Sequence, residues 1–97
     1  MFTIAFSSRA KKEYDRLQNS PRMHISEVGA KRGKIKEIFK MLAIDPVPAR
    51  VCDVKKLRGL ENTFRIRMGR MRIVYTIVWE DKTILISRIS HRESAYD

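Results

Sequence analysis

The stretch Phe64 to Tyr75, FRIRMGRMRIVY, constrains this chain more than any other. Apolar and basic residues alternate through Phe64, Arg65, Ile66, Arg67 and Met68, the two-residue period of a half-buried strand. Gly69 and Arg70 then suit a two-residue loop, with glycine at the position where a type II′ turn needs positive φ. That loop sets the register. Met68 faces Met71, Arg67 faces Arg72, Ile66 faces Ile73, Arg65 faces Val74 and Phe64 faces Tyr75. One face of the hairpin is therefore apolar. The other carries Arg65, Arg67 and Arg72 beside Val74. Arginines directly opposite one another repel, and guanidinium forks match phosphate oxygens in geometry and charge. The pattern predicts a phosphate-holding surface; the plainer alternative is a charged, soluble sheet edge.

Composition supports an anionic partner. The 97 residues carry a net charge of +10, with 43% hydrophobic residues. That length suits one domain spanning 1–97, and that hydrophobic share suits a packed core and not a disordered basic tail. The cations are unevenly distributed. From Arg58 to Arg92 there are seven arginines and one lysine, Lys82, whereas lysines outnumber arginines before Arg58. A lysine-rich helix reads as a solvated face, which is the reading for Lys31, Lys34, Lys36 and Lys40, with phosphate contacts to ribosomal RNA as the alternative. The one cysteine, Cys52, reads as a small buried residue. No Cys/His cluster has zinc-ligand spacing, so no metal or cofactor is expected. The N-terminus lacks a secretory pattern. The run from Ile73 to Trp79 is too short to cross a bilayer, and the expected location is the cytoplasm, without a membrane partner.

Taken in order, Phe2, Ile4 and Phe6 alternate as a first strand. Ser7 or Ser8 can cap a helix whose buried stripe is Ala10, Tyr14 and Leu17, with Lys11, Lys12, Glu13, Asp15 and Arg16 facing solvent. Asn19, Ser20 and Pro21 stop it. A second helical region runs from Arg22 to Ile44 on a stripe of Ile25, Val28, Ile35, Ile38, Phe39 and Leu42, with a break expected at Gly29 to Gly33. Asp45-Pro46 ends it. Val51 to Leu57 is a candidate short strand. The hairpin strands follow, Thr63 to Met68 and Met71 to Trp79, with Tyr75 and Trp79 assigned to the core. The last strand, Thr83 to Ile89, is apolar on both faces and is placed centrally. Leaving the short candidate aside, the order is β-α-α-β-β-β. This is an α+β fold with a helical hairpin packed on a small, mostly antiparallel sheet.

Residues 56 to 96 carry a further pattern. Lys56-Leu57-Arg58-Gly59-Leu60, then Phe64-Arg65-Ile66-Arg67 with Gly69, then Arg72-Ile73-Val74-Tyr75, then His91-Arg92 with Tyr96, occur in one order and spacing. In these motifs the chain resembles the RelE/ParE superfamily of toxins from prokaryotic toxin–antitoxin pairs, and most of all its RelE branch. The β-α-α beginning fits as well. The resemblance implies a RelE-like fold and a ribosome-dependent, metal-independent endoribonuclease that cuts mRNA in the ribosomal A site and so inhibits translation. It implies a cognate antitoxin, in a complex such as a heterotetramer, besides the ribosome and mRNA as partners.

Carried over by position, the resemblance makes Arg65, Arg67, Arg72, Arg92 and Tyr96 catalytic, and His91 joins them on its own chemistry, since an imidazole changes charge near neutral pH. Lys56, Arg58, Arg70 and Arg88 are expected to bind RNA. Arg72 and Arg92 would stabilise charge on the phosphate, and Tyr96 would stack on a base or take a proton. The proton-transfer candidates are His91, Tyr96 and Lys56. Some active relatives have lysines where Arg65 and Arg67 stand, and arginine does not give up its proton. Two other readings are an inhibitor of DNA gyrase of the ParE kind and a catalytically inactive module that binds RNA or the ribosome.

Overall fold

The structure, a computed structural model, describes residues 1–18 and 25–91, with side chains described for 1–16 and 35–90. Its elements are β1 (Thr3–Phe6), α1 (Ser8–Gln18), α2 (Ile25–Ile44), β2 (Asp53–Lys56), β3 (Thr63–Met68), β4 (Met71–Val78), a 3₁₀ turn (Trp79–Asp81) and β5 (Thr83–His91). The short segment after the helices does form a strand, so the sheet has five strands in the order β1-β5-β4-β3-β2. Among the described residues, only β1 and β5 run parallel. Two helices lie on one face of a mostly antiparallel sheet, as the hydrophobic pattern predicted.

The core lies between the helices and that face. Ala10, Ile35, Ile38 and Leu42 from the helices meet Ile66, Met71, Ile73, Tyr75, Ile77, Ile84, Ile86 and Ile89 from the sheet. β4 shows the cause most plainly, alternating buried and half-buried at every residue from Met71 to Val78. Burying an Ile or Leu side chain is worth about 1.5–3 kcal/mol. That gain explains a departure from expectation in α2, which runs unbroken through Gly29 and Gly33. Each glycine costs only about 1 kcal/mol relative to alanine, less than the buried stripe from Ile35 to Leu42 returns.

The helix ends are made by local chemistry. The Ser7 hydroxyl accepts the Ala10 N–H at 3.0 Å and caps α1. At the far end of α2, the Asp45 carboxylate accepts the Val47 N–H at 3.0 Å, an Asx turn leading into the proline-containing loop. Tyr75 is fully buried and donates its hydroxyl to the Pro46 carbonyl at 2.7 Å, fastening this loop to the sheet. Desolvation, joined by the charges of Asp45 and Cys52, pushes the Tyr75 phenol far above its ordinary range. It stays neutral and takes no part in proton transfer.

Trp79 is not in the core. The chain leaves β4 at Val78 and enters the 3₁₀ turn, so the strand period no longer governs Trp79. The residue is about half exposed, and its indole N–H donates to the Asn62 side-chain oxygen at 3.2 Å.

Candidate active site

The hairpin has the expected register: Arg65 pairs with Val74, Ile66 with Ile73, Arg67 with Arg72 and Met68 with Met71. Gly69 takes φ of +58°, and Arg70 is not among the positive-φ residues, the combination a type II′ turn uses. Facing residues on neighbouring strands point to the same side of a sheet. The pairings therefore lay out two rows on the face away from the helices. The first crosses Asp53, Arg67, Arg72 and Ser90. The second crosses Lys55, Arg65, Val74 and Arg88. Among the described residues, five cations share this face: Lys55, Arg65, Arg67, Arg72 and Arg88.

These cations are not equivalent. Arg67 is exposed, while Arg72 is half-buried. Arg65 is half-buried as well, with its side chain only 11% exposed and a terminal nitrogen 3.7 Å from the Asp53 carboxylate. That nitrogen is buried and lacks a hydrogen-bond partner. A buried donor without an acceptor costs about 1–3 kcal/mol, more when charged.

Arg88 owes its place to a bulge. Between Val74 and Tyr75 the pairing with β5 slips, so that Val74 faces Arg88 while Tyr75 faces Ile86. Ser87 is the extra residue, and its hydroxyl donates to the Val74 carbonyl at 3.1 Å. Ile84 and Ile86 face the core before the bulge and Ile89 faces it afterwards. This change of phase is part of why the strand reads as apolar on both faces. Arg88 is thereby turned to the cationic face.

The other site candidates fall in different places. Lys56 pairs with Phe64, which puts it on the opposite side of β2 from Lys55 and Arg65. Its expected share in the site, as RNA contact and as proton acceptor, is therefore not matched by its placement. Arg58 is exposed in the β2–β3 connection and Arg70 is exposed in the hairpin turn. The length of β3 separates them, roughly 17 Å at about 3.3 Å per residue, so they cannot hold the same phosphate. His91 ends β5 opposite Met71, beside the hairpin turn. Arg92 and Tyr96 lie outside the described residues.

Two participants were missed in the sequence. Lys55 joins the cationic face because β2 pairs with β3; pairing the candidate strand Val51 to Leu57 against the hairpin would have revealed it. Glu13 was expected to face solvent, but its side chain is only 15% exposed and lies 3.7 Å from the Arg88 guanidinium. No local pattern marks it, because its partners are about 75 residues away. Cys52 is partly buried, its thiol is pushed up by desolvation, and it donates to the Met41 sulfur at 3.6 Å. It is not poised as a thiolate nucleophile. Among the described residues no helix is long and apolar enough to cross a membrane.

Known proteins resemble this arrangement. Residues 4–96 match the family model described as the ParE toxin of the type II toxin–antitoxin system parDE. The protein named RelE1 from Methanocaldococcus jannaschii is 40% identical over 63 residues, which cover 65% of this chain and 70% of that protein. A chain of the archaeal RelE–RelB complex from Pyrococcus horikoshii OT3 superposes with a TM-score of 0.72 at 28% identity, covering 97% of this chain and 98% of that one. A chain of the RelB–RelE antitoxin–toxin complex from Methanococcus jannaschii gives a TM-score of 0.67 at 27% identity, covering 96% and 95%. The chain therefore belongs to the ParE toxin family of type II toxin–antitoxin systems and, with these RelE relatives, to the RelE branch of the RelE/ParE superfamily.

Proposed function

We propose that this toxin is a ribosome-dependent endoribonuclease that cuts mRNA in the A site. The observation that carries the reading is the direct cross-strand pair of Arg67 and Arg72 on a sheet face shared with Arg65, Arg88 and Lys55. Like charges facing each other across strands destabilise a sheet. A phosphate between the two guanidinium groups would be attracted by both. A phosphodiester seated there would have guanidinium groups on its non-bridging oxygens.

The chemistry follows from RNA itself. The 2′ oxygen attacks the adjacent phosphorus, a new P–O2′ bond forms, and the bond to the 5′ oxygen breaks. The products are a 2′,3′-cyclic phosphate and a 5′ hydroxyl. Arg72, with Arg67 beside it, stabilises the negative charge that builds on the phosphorane oxygens. Arg92 adds to that charge stabilisation. Arginine remains protonated at any ordinary pH, so these residues do not serve as the base. His91 and Tyr96 are assigned the proton transfers, one taking the 2′ proton and the other supplying the leaving 5′ oxygen. Lys56 points to the other face of β2 and receives no such role. Arg65 holds phosphate from beneath, and Arg70 and Arg58 touch the RNA backbone at the two ends of the hairpin.

The relatives crystallised as RelE–RelB complexes support an antitoxin partner for this chain; a heterotetramer is the proposed assembly. The toxin would act in the cytoplasm, where ribosomes are. The test is a cell-free translation reaction with 5′ ends of the message mapped by primer extension. New ends at A-site codons are expected, absent from untranslated RNA. Arg72→Ala should reduce them about 100-fold or more, the usual effect of removing one charge-stabilising donor. Intact message would overturn the reading.

The description of the matching family as ParE favours a second reading, an inhibitor of DNA gyrase. A supercoiling assay separates the two. Inhibition of supercoiling with the message left intact would select it.

A further inference from the structure

The outer edge of β5 is where the helical layer meets the cationic face. β1 covers this edge only as far as the pairing of Phe6 with Ile86. Beyond it the edge would be bare, but α1 takes over. The Ser7 N–H donates to the Ile86 carbonyl at 2.9 Å, and the Ser7 hydroxyl donates to the Ser87 carbonyl at 3.2 Å. Two turns into α1, Glu13 completes the seam. One carboxylate oxygen accepts the Ile89 N–H at 2.9 Å. The other lies 3.7 Å from Arg88 Nε and 3.8 Å from Arg9 Nε.

Glu13 thus grips β5 twice, at the backbone of Ile89 and at the head of Arg88. Ile89 is two residues before His91, and Arg88 belongs to the cationic face. We propose that Glu13 is a positioning residue of the nucleolytic site, a role that rests on the endoribonuclease reading above. It touches neither phosphate nor ribose. Its carboxylate holds the end of β5 in register, so that His91 leaves the sheet at a fixed point, and it keeps the Arg88 guanidinium from wandering over the face. A half-buried acid beside a phosphate site otherwise works against binding, because it repels the ligand and offsets a cation. Its presence is accounted for by the two groups it orders.

The two grips can be separated by substitution. Glu13→Gln keeps an amide oxygen for the Ile89 N–H but removes the charge that attracts Arg88. Glu13→Ala removes both. Single-turnover cleavage of message on translating ribosomes should fall about fivefold in Glu13→Gln, the loss expected from a partly exposed ion pair. It should fall about 100-fold in Glu13→Ala, the effect of a misplacement on the order of 1 Å. In an Arg88→Ala background, Glu13→Gln should add nothing, since its effect is routed through Arg88. Hydrogen exchange at the Ile89 amide should quicken in Glu13→Ala and stay near wild type in Glu13→Gln.

A folded Glu13→Ala protein that cleaves at the wild-type rate overturns the proposal. So does an equal loss from Glu13→Gln with and without Arg88, which marks a merely structural effect, or unchanged exchange at Ile89 in Glu13→Ala. Wild-type and Arg72→Ala proteins in the same assay keep the two claims apart. A wild-type protein that leaves the message intact overturns the nuclease reading and the positioning role with it. An active wild type, an inactive Arg72→Ala and an unaffected Glu13→Ala overturn the positioning role alone.

Discussion

The hairpin of β3 and β4 and the seam between α1 and β5 both present arginines to the same sheet face, but they are built by different means. In the hairpin, everything needed lies within twelve consecutive residues. Alternation chooses the faces, a glycine chooses the turn, and the turn chooses the register. In the seam, the partners are far apart in the chain. Ser7 meets Ser87 and Glu13 meets Ile89, across a strand edge whose phase has been shifted by a bulge. The hairpin is stabilised by its period and would survive many changes of side chain. The seam depends on single groups meeting at single distances. The difference suggests that the hairpin supplies the charge of the site, while the seam supplies its geometry.

The comparison can be broken at its strongest point first. Ile73→Ala removes a fully buried side chain from the hairpin's core face. It should cost about 2–5 kcal/mol, read from the midpoint of chemical denaturation, with the slope unchanged. A loss well under 1 kcal/mol would mean that the hairpin is not fixed by burial of its apolar face. Gly69→Ala asks whether the turn sets the register. A Cβ there meets no atom within 4 Å, so its effect isolates the cost of positive φ, about 1–2 kcal/mol. A stabilised variant would show that glycine's conformational freedom is not what the turn uses. Ser7→Ala probes the seam and should cost about 1 kcal/mol through the lost cap. Because the same hydroxyl also holds the Ser87 carbonyl, amides along α1 and at the end of β5 should exchange faster together. If only α1 responds, the seam is two separate contacts and not one unit.

Much of the architecture was legible because apolar spacing alone dictates it. Of the stripe read in α2, Ile35, Ile38 and Leu42 are buried and Phe39 is half-buried, while the side chains of Ile25 and Val28 lie outside those described. The strand boundaries of the hairpin fell within a residue of their observed places, and the arginines chosen from alternation do share a face. The errors arose where one-dimensional periodicity stops applying. Trp79 was carried into the core by extending β4 one residue too far, where a 3₁₀ turn had already begun. A break at Gly29 to Gly33 was inferred from local propensity, which tertiary burial outweighs by several-fold. Lys56 was grouped with the site although the alternation of β2 sets it on the other face from Lys55.

What the sequence determined by itself, then, is the hairpin, the helical layer over its apolar face and the clustering of arginine on the opposite one. All three follow from periods of 2.0 and 3.6 residues, and those periods are properties of neighbouring residues. Only the tertiary structure decided which carboxylate meets which cation. Asp53 lies against Arg65 and Glu13 against Arg88, so the two acids stand at opposite margins of the same face. Ion pairs carry no period, and their partners are chosen by strand pairing, by a one-residue bulge and by where a helix crosses an edge.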